Sequence, residues 1–155
     1  MTPIDSVGPL KVKIKKLHPD AKIPTYAKSG DAGMDLTAIS MEYNIGNETI
    51  TYGFGLAFEI PDIHFMMIVP RSSIYKQDLY LTNHCGIVDS KYRGEVKAIF
   101  KIHRHPDYPN IVTNYQIGDK VAQAIILPYP KVEFELVNEL SDTERGDNGF
   151  GSSGA

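Results

Sequence analysis

The sequence contains a single cysteine, Cys85, among its 155 residues. An internal disulfide is therefore impossible, which fits a protein of a reducing compartment. No apolar run approaches the length of about 20 residues that spans a bilayer, and the N-terminus mixes charged and apolar residues where a signal peptide would be apolar. The formal net charge is only −3, so attraction to nucleic acid or to an anionic membrane is not expected. We expect a cytoplasmic protein, or one inside a host cell if the source is a virus or phage.

Helical patterns are also scarce. The best candidate is SSIYKQD (residues 72–78), which begins with a serine cap and allows two turns at most. Apolar and polar residues instead alternate over residues 10–15, 96–102 and 131–136, and KVAQAIILP (120–128) is an apolar run of strand length. Short strands with frequent glycine and proline predict an all-β sandwich, jelly roll or barrel, and the length suits one domain.

Five stretches concentrate glycine with polar groups and stand out against the strand patterns. They are AGMDLTA (32–38), PRSSIYK (70–76), GIVDSKYRGEV (86–96), GDKVAQAI (118–125) and the C-terminal RGDNGFGSSGA (145–155). These stretches are candidate ligand-binding segments.

The PRSSIYK stretch has the groups of a phosphate site. Arg71, Ser72 and Ser73 open the predicted short helix, and a helix start offers unpaired backbone N–H groups and the positive end of the dipole. An arginine fork and two hydroxyls would add donors for a phosphate. Taken alone, the stretch also fits a serine N-cap that follows a proline.

The GIVDSKYRGEV stretch places Asp89 and Tyr92 in a turn that we predict to be part of a β-hairpin. A carboxylate there can orient and deprotonate water, and an aromatic ring can stack on a sugar or a base. The alternative is structural, since aspartate also closes Asx-turns and a tyrosine can complete the packing of a hairpin.

Asp35 and Gln123 are single polar residues in largely apolar stretches. Asp35 could hold a divalent cation through water, or it could be a turn residue. Gln123 lies on a predicted strand, where a polar side chain on the exposed face is the ordinary interpretation. We assign HRHPD (103–107) to a solvated loop rather than to a metal site, and Cys85 to a structural thiol.

In this order and spacing, the five stretches resemble the five motifs of the homotrimeric deoxyuridine triphosphatases (dUTPases). The resemblance runs from Asp31 to the C-terminus, and GIVDSKYRGE is its most specific part. It implies an all-β distorted jelly roll of the β-clip, dUTPase-like type, assembled as a homotrimer with active sites at subunit interfaces. It also implies hydrolysis of dUTP to dUMP and pyrophosphate with Mg²⁺, which keeps uracil out of DNA and supplies dUMP for dTMP synthesis.

The resemblance gives each motif residue an expected role. Asp89 and Gln123 would be catalytic, with Asp89 binding the sugar 3′-hydroxyl and activating water. Asp35 would hold Mg²⁺ through water. The expected substrate-binding residues are Arg71, Ser72 and Ser73 with Gln123 on the phosphates, Asn83, Gly86 and Val88 on the uracil, and Tyr92 against the deoxyribose. In the tail, they are Arg145 on the γ-phosphate, Phe150 over the uracil, and Gly151, Ser152 and Ser153 near the phosphates.

The tail also has a physical rationale as a lid. Residues 1–140 would form the β domain, and residues 141–155 a flexible arm that closes over an active site. Glycines permit close approach of backbone N–H groups to a triphosphate, and Phe150 would anchor the closure by covering the base. An arm that is mobile without substrate can open for product release.

Two departures and two alternatives accompany the resemblance. Ser73 and Asn148 stand where many family members have glycine; asparagine tolerates left-handed backbone angles. A dCTP deaminase, or a bifunctional deaminase–diphosphatase, of the same superfamily would also carry an R-S-S stretch, but these enzymes lack the hairpin with Asp89 and Tyr92. A protein that binds the nucleotide in order to regulate a partner is the alternative from another class.

Overall fold

The computed structural model describes residues 8–149, which form ten β-strands and a 3₁₀ segment (Ser72–Lys76). The strands are β1 (Lys13–Lys16), β2 (Met34–Thr37), β3 (Ser40–Asn44), β4 (Thr49–Gly53), β5 (Leu56–Glu59), β6 (His64–Pro70), β7 (Leu79–Leu81), β8 (Gly86–Val88), β9 (Lys97–Ile102) and β10 (Lys120–Pro128). Within this part of the chain, no helix has the length and apolar character needed to cross a membrane.

The strands build two four-stranded sheets and a two-stranded ribbon, all antiparallel. The first sheet has the order β2-β10-β6-β8, the second has the order β3-β4-β9-β7, and the ribbon pairs β1 with β5. From β6 to β10 each successive strand lies in the other four-stranded sheet. This repeated crossing gives a jelly-roll-like architecture and confirms the all-β prediction.

Both large sheets contribute to one apolar core. Leu36 and Ala122 from the first sheet, and Tyr52 and Phe100 from the second, have no exposed surface. The hydroxyl of Tyr52 donates to the backbone oxygen of Tyr115 at 2.8 Å, so this buried polar group is satisfied. The core fixes the sheets relative to each other and, with them, the loops that carry the candidate site.

Alternation predicted β9 well, and the apolar run KVAQAIILP predicted β10. β9 buries Ala98, Phe100 and Ile102 on one face, and β10 covers the whole KVAQAIILP run. Residues 131–136 are different, since they belong to no strand and Phe134 and Leu136 are exposed. The strand predicted there is wrong for the single chain, since residues 131–136 pair with no strand in the described part of the chain.

Two further local predictions were wrong. Residues 72–76 form a 3₁₀ segment, and its capping position is Arg71 with no side-chain capping bond, so neither an α-helix nor a serine cap is present. GIVDSKYRGEV is not a hairpin, because β8 pairs with β6 whereas β9 belongs to the other large sheet. The Asp89 turn (residues 89–92) therefore connects two different sheets.

Candidate active site

Asp35 on β2 lies between two cations. The Nε of Arg71 donates to one carboxylate oxygen at 2.7 Å, and the Nζ of Lys120 lies 3.0 Å from the other. The Asp35 side chain is 18% exposed. Arg71 follows the end of β6 and Lys120 begins β10, so three segments far apart in sequence meet at this carboxylate.

The two cations change the acidity of Asp35. Partial burial acts to raise the pKa of this carboxyl group, but the hydrogen bonds and positive charges of Lys120 and Arg71 together outweigh it. They hold the pKa of Asp35 below its ordinary value of 3.8. Asp35 is therefore ionised at neutral pH, and it fixes the Arg71 guanidinium in place.

A β-bulge explains why the sequence patterns did not identify Lys120. The register of β10 against β2 shifts between Lys120 and Ala122, so Lys120 lies opposite Thr37 while Ala122 lies opposite Leu36. With strict alternation, Lys120 would share the buried face of Ala122. The bulge places Lys120 on the same face as Asp35. Bulges next to functional sites often redirect a side chain in this way.

Gln123 completes this side of the site. It lies opposite Asp35 in the β2–β10 ladder, and its amide nitrogen donates to the backbone oxygen of Pro70 at 3.0 Å. Its amide oxygen lies so close to Gly33 that a side chain at position 33 would collide with it. The glycine of AGMDLTA thus leaves the space that Gln123 occupies.

These residues line a cleft of about 340 Å³, which we call the Asp35 cleft. Its lining residues are Ala27, Asp31, Ala32, Gly33, Asp35, Arg71, Ser72, Gln123 and Ile125. Ser73 instead lies behind Arg71, with its hydroxyl 3.4 Å from the Arg71 Nη1 and 3.5 Å from the Tyr115 hydroxyl. The structure thus brings Asp35, Arg71, Ser72 and Gln123 together.

A second cleft, of about 280 Å³, lies at the Asp89 turn, and we call it the Asp89 cleft. Its lining residues are Ile87, Val88, Asp89, Tyr92, Glu95, Val96 and Lys97. The turn is closed by a bond from the Tyr92 N–H to the Asp89 backbone oxygen at 3.1 Å. Asn83 lies just before β8, and a Cβ on Gly86 would be 3.4 Å from its amide nitrogen.

The two clefts share no residue and belong to different regions of the first sheet. β2, with Asp35, and β8, with Gly86 and Val88, are its two opposite edges. Three strand-to-strand spacings of about 4.8 Å lie between β2 and β8, so the two strands are roughly 14 Å apart. A single chain therefore carries two partial sets of the predicted site residues, and each set faces its own cleft.

Arg145, the tail site residue that the structure describes, joins neither set. The Nε of Arg145 donates to the backbone oxygen of Asn148 at 3.0 Å, and Arg145 lines neither cleft. Phe150, Gly151, Ser152 and Ser153 lie outside the described residues. Their predicted roles remain predictions.

The Asp35 cleft suits Mg²⁺ only in the presence of a phosphate ligand. Within residues 8–149, no three His, Cys, Asp or Glu side chains converge as metal ligands do. Both oxygens of Asp35 already contact a cation. Because Mg²⁺ usually keeps several waters and binds through one or two carboxylates plus substrate phosphates, this donor set fits a metal that arrives with a phosphate and contacts Asp35 through water.

Comparison with known proteins decides the family. The profile of the dUTPase family matches residues 19–154. The chain belongs to the dUTPase family. The matched range contains every motif residue of the two clefts as well as the tail through Ser153.

Curated dUTPase relatives match along almost their whole length. The deoxyuridine 5′-triphosphate nucleotidohydrolase of Nautilia profundicola is 40% identical over 146 residues, covering 94% of this chain and 99% of the relative. The protein of the same name from Clostridioides difficile is 40% identical over 144 residues, covering 92% and 97%.

Solved dUTPase structures share the fold. A single-residue variant of the Staphylococcus bacteriophage 80alpha dUTPase with dUpNHpp superposes with a TM-score of 0.82 at 23% identity, over 94% of this chain and 99% of that one. A variant of the dUTPase from phage phi11 of S. aureus, in a structure described as revealing the coordination of a structural Mg(II) ion, has a TM-score of 0.69 at 20% identity over 83% and 97%. The dUTPase-like jelly roll is thereby confirmed.

Proposed function

We propose that this chain hydrolyses dUTP to dUMP and pyrophosphate. Family membership supports the reaction. The geometry contributes one observation above all, because an ionised Asp35 fixes the guanidinium of Arg71 beside Gln123 in the Asp35 cleft, while Lys120 contacts the other oxygen of the same carboxylate. Fixed cations of this kind bind a phosphate chain without the cost of ordering them at each turnover.

Asp89 is the proposed base. As the oxygen of a water molecule bonds to the α-phosphorus of dUTP, a proton of that water passes to the Asp89 carboxylate. The bond from the α-phosphorus to the bridging oxygen then breaks and pyrophosphate leaves. Arg71, Ser72 and Gln123 hold the phosphates, with Gln123 contributing an amide at the edge of the cleft, and Ser73 supports the Arg71 side chain. Mg²⁺, when bound, takes up charge on the leaving pyrophosphate.

The Asp89 cleft is the proposed nucleoside site. Asn83, Gly86 and Val88 provide amide and backbone groups that distinguish uracil from cytosine by its acceptor edge, and a mismatch there leaves buried polar groups unpaired. Tyr92 lies against the deoxyribose and leaves no space for a 2′-hydroxyl. Arg145, Phe150 and the following Gly151, Ser152 and Ser153 belong to the proposed arm (141–155), which closes over the nucleotide.

We also propose that the protein is a homotrimer with composite active sites. A triphosphate bound at the Asp35 cleft and a base at the Asp89 cleft of the same chain would have to bridge opposite edges of a sheet. Placing the Asp35 cleft of one chain beside the Asp89 cleft of another brings the two sets together. Assembly would thus create the site rather than only stabilise the fold.

An unpaired segment supports this assembly. Residues 131–136, which have a strand pattern, and the adjoining Val137 form no strand, and Phe134 and Leu136 are 94% and 100% exposed. Exposed apolar surface costs about 25 cal/mol per Å². Burial of this apolar surface against another chain is therefore favourable.

The surface that would receive this segment lies beside β1. An open groove of about 430 Å³ is lined by apolar residues that include Leu10, Val12 and Ile14, and within the described residues β1 pairs only with β5. Lys11, Lys13 and Lys15 alternate with the groove residues.

The two segments match in polarity and charge. In the receiving segment lysines alternate with the apolar residues of the groove, whereas in residues 132–136 Glu133 and Glu135 alternate with Val132, Phe134 and Leu136. Opposite charges facing each other across neighbouring strands are stabilising. We assign the groove to residues 131–137 of a second copy of the chain.

The test of the reaction is a nucleotide panel with product identification. The protein is incubated with Mg²⁺ and, separately, dUTP, dCTP, dTTP and UTP. We expect dUTP to be turned over far faster than the others and to yield dUMP and pyrophosphate. Release of orthophosphate, or equal turnover of all four nucleotides, would refute the assignment, and ammonia released from dCTP would identify a deaminase instead.

A further inference from the structure

The Asp89 turn has little support from sheet hydrogen bonds. It connects β8 in the first sheet with β9 in the second, so it is not held between two paired strands as a hairpin turn would be. Its internal bond joins Tyr92 to Asp89. Both residues are exposed, and other contacts must determine the direction in which their side chains point.

Arg93 supplies contacts to the middle of the turn. Its Nη1 donates to the backbone oxygens of Ser90 at 2.6 Å and Tyr92 at 3.2 Å. The same nitrogen lies 3.4 Å from the backbone oxygen of Phe58 on β5. One guanidinium group therefore ties two carbonyls of the turn to a strand outside it, and a charged donor makes such bonds stronger than neutral ones.

The end of the turn is fixed by a separate set of contacts. The Tyr92 hydroxyl donates to the backbone oxygen of Glu95 at 3.1 Å, and the Tyr92 ring lies so close to Gly94 that a side chain there would collide with it. The Glu95 carboxylate accepts a bond from the Gly55 N–H at 2.9 Å. Tyr92 is thus held at both ends: its side-chain hydroxyl is bonded to Glu95, and its backbone oxygen is bonded to Arg93.

We propose that Arg93 is a positioning residue that determines the preference for deoxyribose over ribose. This inference rests on the proposed hydrolysis of dUTP. Arg93 fixes the backbone of Tyr92, and the Tyr92 ring then occupies the place of a 2′-hydroxyl. Without Arg93 the turn gains freedom, the ring can move aside, and UTP is accepted more readily.

The chain offers a matched control arginine. Arg104 also has three partners, with its Nε 2.7 Å from a Glu48 oxygen, its Nη1 2.6 Å from the Pro109 backbone oxygen and its Nη2 2.9 Å from the Tyr43 hydroxyl. It lines neither cleft. Replacing Arg104 removes a comparable number of contacts without affecting the Asp89 turn.

The experiment measures kcat/KM for dUTP and for UTP in the wild-type protein, Arg93→Met and Arg104→Met, together with Tm. We expect the kcat/KM for dUTP divided by the kcat/KM for UTP to fall by about tenfold in Arg93→Met. In Arg104→Met this ratio should stay at the wild-type value, even if the variant has a lower Tm. An unchanged ratio in Arg93→Met overturns the inference. A wild-type protein that does not hydrolyse dUTP overturns the proposed function itself, so the two failures are distinguishable.

Two further variants complete the test. Arg93→Lys keeps a positive charge but loses the fork, so its ratio should lie between those of the wild type and Arg93→Met, and it decides the question if Arg93→Met does not fold. Arg93→Met added to Tyr92→Ala should leave the ratio of Tyr92→Ala unchanged, because Arg93 acts through Tyr92. A further fall in the double variant would show that Arg93 acts by another route.

Discussion

At the scale of single residues, the site depends on a carboxylate that organises cations. The sequence patterns drew attention to Asp35, Arg71 and Gln123 because each is a polar residue in an apolar or turn-forming stretch, but only the family resemblance gave these residues expected roles. They did not identify Lys120, because the β10 bulge that places it beside Asp35 breaks the period-two pattern. Arg93 and Glu95 act through backbone carbonyl and N–H groups, and a side-chain pattern does not reveal such contacts.

The ionised Asp35 should make stability depend on pH. Its pKa in the folded protein lies below the ordinary value of 3.8, so its contribution is fully present above that value and is lost as the pH falls through the lower folded pKa. We expect Asp35→Asn to lower Tm at pH 7, and the difference from wild type to shrink below about pH 4. Thermal unfolding of both proteins across pH 2–7 measures this difference.

Asp142→Asn is the matched control for that series. Asp142 is exposed and forms no ion pair with any residue in the range 8–149. Its Tm should follow the wild type at every pH. A constant Tm difference between Asp35→Asn and wild type down to pH 2 would contradict the assigned ion pairs.

At the scale of elements, the sequence predicted β9 from alternation, because that strand buries one face in the core, and β10 from an apolar run, because that strand is covered along most of its length. The same alternation over residues 131–136 produced a strand prediction that a single chain does not satisfy. Periodicity indicates that a segment can form a strand, but it does not indicate which chain provides the partner. The crossing between sheets at the Asp89 turn was likewise missed, because strand pairing is not encoded in local spacing.

The segment 131–137 provides a direct test of assembly. Phe134→Asp places a charge where the proposed contact needs an apolar side chain, so we expect the trimer to dissociate toward single chains of 17.2 kDa. Light scattering after size-exclusion chromatography measures the mass. Ile45→Asp is the control, because Ile45 is also an exposed apolar residue, at 79%, and lies outside both the segment and the groove. If Phe134→Asp remains a trimer, this segment is not part of the interface.

The arm should be dispensable for folding and necessary for turnover. The hydrogen bonds that involve residues 143–149 join Thr143, Arg145, Gly146 and Asn148 to one another. We expect a chain that ends after Asp142 to keep its Tm and its oligomeric state while kcat/KM for dUTP falls by about 10² or more, since closure over the phosphates is lost. Normal turnover by the shortened chain would refute the role of the arm.

At the scale of the whole molecule, the proposed active site requires more than one chain. Each chain has an Asp35 cleft with the proposed phosphate-binding residues and an Asp89 cleft with the proposed base, on opposite edges of one sheet. The motifs in the sequence could predict the members of these two sets, but their distribution over two clefts depends on strand order. We therefore expect one active site to take its two halves from different chains.

Subunit complementation measures whether one active site needs two chains. Arg71→Ala and Asp89→Asn are each expected to lose most activity, with removal of the base alone costing about 10²–10⁴ in rate. When the two variants are co-expressed and assemble at random, about one site in four combines an intact Arg71 half with an intact Asp89 half, so the mixture should recover about a quarter of the wild-type rate. A mixture no more active than the two variants measured separately would show that each site lies within one chain and would contradict an active site shared between chains.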